Sequence, residues 1–288
     1  MMRRFPITIE DIQRWKSQGL GQGEGENYKP WIDVRCFSSK GRSSRAPGIT
    51  TGRTHHLFSD NEDDFCLMAD YAQQVVDIRE QFPLLPERAT QTIAENLRIR
   101  HPRYPNSKTM LVMTTDFLLT IRNRVGDHRL VAYSIKSEED LNGESRSRVL
   151  EKLELERRYW LGRGIQWILI TDHDIPATLI RNLDWLNYLV VEIDRSAPQL
   201  HARLPAFLRA FRIAWEEGSP LKQILAACAD LIGKPDNEAL YQLFRHCVWH
   251  HLIELDLTHP LGPLHPVRAL AIDDVSIRFG NKGACHAG

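Results

Sequence analysis

No run of 18 uncharged apolar residues occurs in this chain of 288 residues, so a membrane-crossing helix is excluded. The start, Met1-Met2-Arg3-Arg4-Phe5-Pro6, is basic, but no apolar core of signal-peptide length follows it. Secretion is not expected, and a cytoplasmic location is. The five cysteines are few, odd in number and without a CxxC pair, which argues against a disulfide framework and a zinc ribbon. Cys247, His250 and His251 resemble half a zinc site with no second pair, so a half-buried helix face is the simpler expectation. Gly19 to Gly25 holds four glycines but has no Lys-Ser/Thr and no strand before it. It is therefore no phosphate loop, and reads as a flexible connector. Neither Ser43-Ser44 nor Ser137 has an acid and base placed for a hydrolase triad, and there is no internal repeat. Excess charge of either sign is also lacking: 37 basic and 37 acidic residues cancel. A simple polycation coating nucleic acid is ruled out, whereas a local basic patch is not.

What is there is ordinary soluble composition, 42% hydrophobic and 26% charged, in a length that suits two domains. Charge is unevenly distributed. Between Asp33 and Asp60 there is no acid, while Arg35, Lys40, Arg42, Arg45, Arg53, His55 and His56 lie among Ser, Gly and Thr. Such a stretch buries little apolar surface and reads as an extended or mobile basic loop. From Ser59, a helix cap, apolar residues recur at spacings of three and four through Ala72. A period-two strand follows at 75–82, closed by Pro83, and then an excursion over 84–108. Strands are predicted at 110–121 and 129–136 around a turn at Gly126, a helix at 146–161, and a buried strand at 165–171. Beyond Pro176, helical periodicity dominates over 179–190, 204–215, 221–232 and 238–251, with one short strand at 252–257. The fold class is α/β: a mixed-sheet unit, then a mainly helical one suggestive of a winged helix.

Hairpin pairing about Gly126 sets Asp116 opposite Ser134 or its neighbour, with Lys136 diagonal to it. An aspartate in so apolar a strand requires a cation beside it. Two partners satisfy this: Lys136 in a structural ion pair, or a divalent metal held by Asp116 with Lys136 over the water it polarises. A metal needs further oxygens. Glu62, on the helical side of Phe65 and Ala69, and the Ile135 backbone carbonyl are the candidates, with Asp63 and Asp64 as solvated neighbours. Glu151 and Glu154 read as partners of Arg158 and nearby bases. An acid on a first helix, Asp on one strand and x-x-Lys on the next is the layout of metal-dependent nucleases of the restriction-endonuclease class.

Three stretches resemble the TnsA-type endonuclease subunit of heteromeric cut-and-paste transposases. They are Ser59-Asp60-Asn61-Glu62 running into Val76-Asp77-Ile78-Arg79-Glu80-Gln81-Phe82-Pro83-Leu84; Thr114-Thr115-Asp116-Phe117 with Ser134-Ile135-Lys136; and Leu150 to Trp160. The resemblance covers roughly residues 55 to 175. It implies a restriction-endonuclease-like catalytic domain (59–174) followed by a winged-helix-like domain (175–275), while the residues themselves read as an N-terminal arm and basic loop (1–58) and a flexible tail (276–288). It implies Mg2+, with Mn2+ as substitute, and cleavage of the 5′, non-transferred strands at transposon ends. It also implies a TnsB-type transposase, a TnsC-type ATP-dependent regulator bound through the C-terminal region, and a bacterial, nucleoid-associated setting. Carried over, Glu62 and Asp116 become metal ligands with the Ile135 carbonyl, and Lys136 the catalytic lysine. Ser134 stands where the family often has Gln, which favours a water-bridged contact over a direct one. Arg35, Lys40, Arg42, Arg45 and Arg53 are then expected to hold DNA phosphates. A non-catalytic assembly protein with a degenerate nuclease fold and a stand-alone defence or repair nuclease are the alternatives.

Overall fold

The computed structural model describes residues 6–34, 42–188, 190 and 202–273. Contacts divide the chain into two units, residues 1–175 and 176–288. Cys36, Cys285, Arg35 and Lys40 lie outside the described residues, as does the expected tail.

The first unit is built on a four-stranded mixed sheet. Its strands, in spatial and chain order, are β3 (Val75–Pro83), β4 (Thr114–Arg122), β5 (His128–Lys136) and β6 (Gln166–Thr171). The first three are antiparallel neighbours, and the tight turn at Gly126 accounts for the β4–β5 pair. The pair β5–β6 is parallel, which demands a crossover. That crossover carries α4 (Glu138–Asn142) and α5 (Arg146–Leu161). Strand β6 is half-exposed along most of its length, not buried as its apolar sequence suggested, because it is an edge strand.

Side-chain alternation divides the sheet between two helical layers. Leu118 and Ala132 pack with Leu155, Tyr159 and Trp160 of α5 and with Ala94 of α3 (Glu87–Leu97). Helix α3 falls in the stretch expected to be an irregular excursion. It lacks a side-chain cap, and its amphipathic face supplies the packing that sustains it. On the other side, Phe65 of α2 (Asp60–Tyr71) meets Phe117 at 5.0 Å and Tyr133 at 4.9 Å between ring centroids. Ser59 caps α2, its hydroxyl accepting the Glu62 N–H at 3.2 Å, as its position implied.

The N-terminal segment is integral to this unit. Helix α1 (Ile9–Ser17) has a complete capping box between Thr8 and Asp11, and buries Trp15 in a cluster with Trp31, Tyr104 and Val112. The glycine-rich connector is likewise packed, not free: the Gly21 N–H donates to the Lys29 carbonyl and the Lys29 N–H to the Gln22 carbonyl, and Gly21 lies so close to Pro83 that an added Cβ would sit 2.2 Å from its Cγ. The basic stretch also differs from the loop expected. Strands β1 (Ser44–Pro47) and β2 (Thr54–Leu57) form an antiparallel hairpin.

What orders that hairpin is a buried charge cluster. Glu80 of β3 is fully buried and receives Arg53 Nη2 at 2.5 Å and Nη1 at 2.7 Å. His55 Nδ1 lies 2.9 Å from its Oε2, and the His56 N–H donates to Oε1 at 3.2 Å. Burial works to raise the Glu80 pKa, but these donors hold it down at about 2. A hydrophobicity pattern does not reveal such a core.

The second unit has α6 (Ala177–Asn187), α7 (Leu204–Ala214), α8 (Leu221–Leu231), α9 (Asn237–Trp249) and a small hairpin of β7 (Ile253–Leu255) with β8 (Ala269–Ile272). Phe207, Phe211 and Phe244 are fully buried at its centre. A bridge between Pro220 and Pro266 joins the residue ahead of α8 to the strand region after α9. The Asn182 amide fixes the following loop, donating to the Leu257 and His259 carbonyls at 2.8 Å each and accepting the Leu261 N–H at 2.9 Å. Cys247 is a buried free thiol in this core, and no cluster of three His, Cys, Asp or Glu suited to a metal occurs among the described residues. No described helix is long and apolar enough to cross a membrane.

Candidate active site

The pairing of Phe117 with Tyr133 makes Asp116 and Ser134 the next pair along, on the sheet face that Leu118 and Ala132 share. Lys136 Nζ lies 3.0 Å from Asp116 Oδ2. That same oxygen accepts the Ile135 N–H at 2.7 Å, and the Lys136 ammonium donates to the Ile135 carbonyl at 2.5 Å. The aspartate required a cation, and Lys136 stands there. Burial works against the charged lysine, but Asp116 beside it raises its pKa above the ordinary value.

Glu62 comes from the first turn of α2 and is 7% exposed. Its Oε2 accepts the Phe58 N–H at 3.0 Å and the Gln81 side-chain amide at 3.2 Å, while Oε1 accepts the Ser59 hydroxyl at 3.4 Å. Burial, reinforced by the nearby Asp116 charge, pushes its pKa up to about 8. Asp63 instead accepts the Ser44 hydroxyl and a longer contact from Arg42, so the outward acid is tied to the hairpin.

Glu62, Asp116, Ile135 and Lys136 line one cleft of about 960 Å³. The donor set is two carboxylates and a carbonyl, all hard oxygens, and the Asp116 charge works to raise the Glu62 pKa. That chemistry fits an oxygen-seeking divalent cation. Exposed acids of the crossover, Glu139, Asp140 and Glu144, line the same cleft.

Two residues at this site escaped the sequence. Glu156 of α5 is 6% exposed and accepts the Ser134 hydroxyl at 2.5 Å, the Trp167 indole N–H at 3.1 Å and the Thr115 hydroxyl. Burial and then the Asp116 charge push its pKa up to about 7, against those hydrogen bonds. It is the last acid of the Leu-Glu-Lys-Leu-Glu-Leu-Glu run, and the 3.6-residue period turns it inward where Glu151 and Glu154 turn out. Those two pair with Arg148, and with Arg157 and Arg158, as ordinary surface partners. The second is Gln81, whose amide reaches Glu62 from β3.

Ser134 is fully buried, with its hydroxyl given to Glu156. Among the residues expected to touch DNA, Arg42 and Arg45 are exposed; Arg42 contacts Asp60 at 3.0 Å and Asp63 at 3.5 Å. Arg53 is turned inward onto Glu80 with its side chain 9% exposed, so it is a structural cation and leaves the set offered to phosphates.

Comparison with known proteins bears on the same segment. Residues 72–172 match the family described as TnsA-like endonuclease N terminal. Over 175 residues the chain is 42% identical to the transposon Tn7 transposition protein TnsA of Escherichia coli. That match covers 61% of this chain and 61% of the relative, so the chain spans about three fifths of the length of the curated protein it matches. Residues 72–172 are thus similar to TnsA-like endonuclease N-terminal domains, and the chain is similar to TnsA over the matched 175 residues. Asp116, Ser134, Lys136, Glu156 and Gln81 fall inside the family match, and Glu62 lies ahead of it.

Proposed function

We propose that this protein is a Mg2+-dependent DNA endonuclease subunit of a transposase. Its first unit is read as a restriction-endonuclease-like catalytic core, and its second as a winged-helix-like domain. The substrate is double-stranded DNA at transposon ends, cut on the 5′ (non-transferred) strands. A TnsB-type transposase handles the other strands, and a TnsC-type regulator binds through the second unit. The observation that carries the reading is the meeting of Glu62, Asp116, the Ile135 carbonyl and Lys136 at one cleft.

In this reading Glu62 and Asp116 hold the cation, with the Ile135 carbonyl as a third oxygen. A bound Mg2+ supplies a water of lowered pKa and neutralises charge on the scissile phosphate. Lys136 does the rest from the protein side. Its ammonium is charged, held by Asp116 and half-exposed to the cleft, so it orients the attacking water or stabilises the extra negative charge on phosphorus. Glu156 fixes Ser134 and supports β5 from below, which keeps Lys136 aimed at the cleft. Arg42 and Arg45 supply phosphate contacts at the hairpin. The exposed acids Glu139, Asp140 and Glu144 of the same cleft disfavour a duplex approaching from their side.

The test is the Asp116→Ala variant on a duplex carrying a transposon end, with the partner proteins and Mg2+ present. Loss of 5′-strand nicking with partner binding retained is expected. Normal nicking by this variant removes Asp116 from the ligand set, and the reading with it. A stand-alone nuclease is separated by the same assay without partners, where this reading expects near silence.

A further inference from the structure

The run Asp77-Ile78-Arg79-Glu80-Gln81-Phe82-Pro83-Leu84 carries the sequence resemblance, yet only part of it is accounted for by packing. Ile78 and Leu84 are fully buried, and Glu80 anchors the hairpin. Gln81 does neither. It is 4% exposed, and it adopts φ 49° in the interior of a nine-residue strand. A left-handed conformation there is unfavourable for any residue with a long side chain, and Gly or Asn would hold it with less strain. Glutamine at this position is therefore paid for by something glycine and asparagine lack, and its contacts say what.

Both ends of the Gln81 amide are engaged. Nε2 donates to Glu62 Oε2 at 3.2 Å, and Oε1 accepts the Thr114 hydroxyl at 3.4 Å. With the Phe58 N–H at 3.0 Å, Gln81 gives Oε2 two donors and so fixes the carboxylate's rotation. The other oxygen, with a long contact from Ser59 alone among the described residues, is left for the cleft that Glu62 lines. The backbone is fastened from the opposite side, since the Gln81 carbonyl accepts the Trp31 N–H at 3.3 Å. The strained conformation is thus held by the N-terminal segment and turns the side chain toward the acid of α2.

We infer that Gln81 is a positioning residue for Glu62: its amide orients the carboxylate, so that one oxygen faces the cation. This rests on the metal-dependent reading above and deepens it, since Gln81 itself is no ligand. Partners that orient a ligand in this way affect metal affinity by roughly ten- to a hundredfold.

The test uses Gln81→Asn in the full chain. Asparagine tolerates the left-handed backbone but is one methylene too short to reach Glu62. The melting temperature should be equal to or above that of the parent, while Mn2+ affinity measured by calorimetry falls at least tenfold and nicking falls with it. Gln81→Met, which keeps length without the donor, should weaken Mn2+ binding similarly. A crystal structure of Gln81→Asn without added metal provides a separate readout, with the Glu62 carboxylate rotated from its place. Parental Mn2+ affinity in Gln81→Asn, or an unmoved Glu62 carboxylate, overturns the positioning role. Gain of affinity in Gln81→Glu overturns it too, by making the position a ligand position. Should the parent itself take up no Mn2+, the metal reading fails, and the crystal structure alone decides for or against Gln81.

Discussion

Cation binding at this site should be driven by pH, and the size of the effect follows from Glu62. Its pKa of about 8 arises from burial and the neighbouring Asp116, only partly offset by Lys136 and by hydrogen bonds from Phe58 and Ser59. At pH 7 such a group is ionised in roughly one molecule in ten. Uptake of a divalent cation, which requires the carboxylate, then releases close to one proton. Apparent affinity should climb roughly tenfold for each pH unit from 6 to about 8, about 1.4 kcal/mol per unit, and level off above. The same shift acts on stability in the opposite sense. Between the ordinary value of 4.5 and about 8, the folded chain holds a proton that the unfolded chain has released, so stability without metal falls as pH rises through that window. Calorimetric titration with Mn2+ at matched pH, in buffers of different ionisation enthalpy, counts the protons directly. Glu62→Gln should bind weakly and without the pH slope. Zero proton release at pH 7 refutes the argument. So does release that persists undiminished in Glu62→Gln, because the proton would then come from Glu156, the other raised acid facing Asp116.

Three further outcomes are expected. Glu80→Gln leaves the Arg53 guanidinium buried without its counter-charge and should cost about 3–5 kcal/mol in urea unfolding; a loss below 1 kcal/mol contradicts the buried cluster. Neutralising Arg42 and Arg45 should weaken DNA binding alike on all sequences and flatten its salt dependence by about two counterions, whereas a sequence-selective loss rules out phosphate contacts. The triple change Glu139→Gln, Asp140→Asn, Glu144→Gln should tighten duplex binding roughly tenfold at 50 mM salt, with the gain fading as salt screens these acids; weaker binding means the acids assist the DNA instead of repelling it.

The expectations that held were those fixed by local chemistry. Ser59 ahead of an apolar periodicity starts α2 because a hydroxyl cap needs only the next turn. Gly126 closes β4 onto β5, and the strand period then sets Asp116 against Ser134 and brings Lys136 within 3.0 Å. Helices over 146–161 and through the second unit were legible from their period for the same reason. Glu62 turns toward the sheet, as expected, because three residues on a helix face is a fixed angle.

What escaped depends on partners far away in the chain. A run of arginines and glycines gives no sign that Arg53 folds under the hairpin onto Glu80, since a buried ion pair is invisible until both ends are placed. Gln81 shows neither its backbone angle nor its reach to Glu62, because both are imposed by Trp31 and α2 from outside the strand. Glu156 reads like the acids around it and differs only in facing the sheet. The sequence alone therefore determined that Glu62, Asp116 and Lys136 are near a common sheet end, through periodicities acting over a few residues. Tertiary packing decided which of them are desolvated and which cations neutralise them, because burial is a property of the assembled layers and not of any segment.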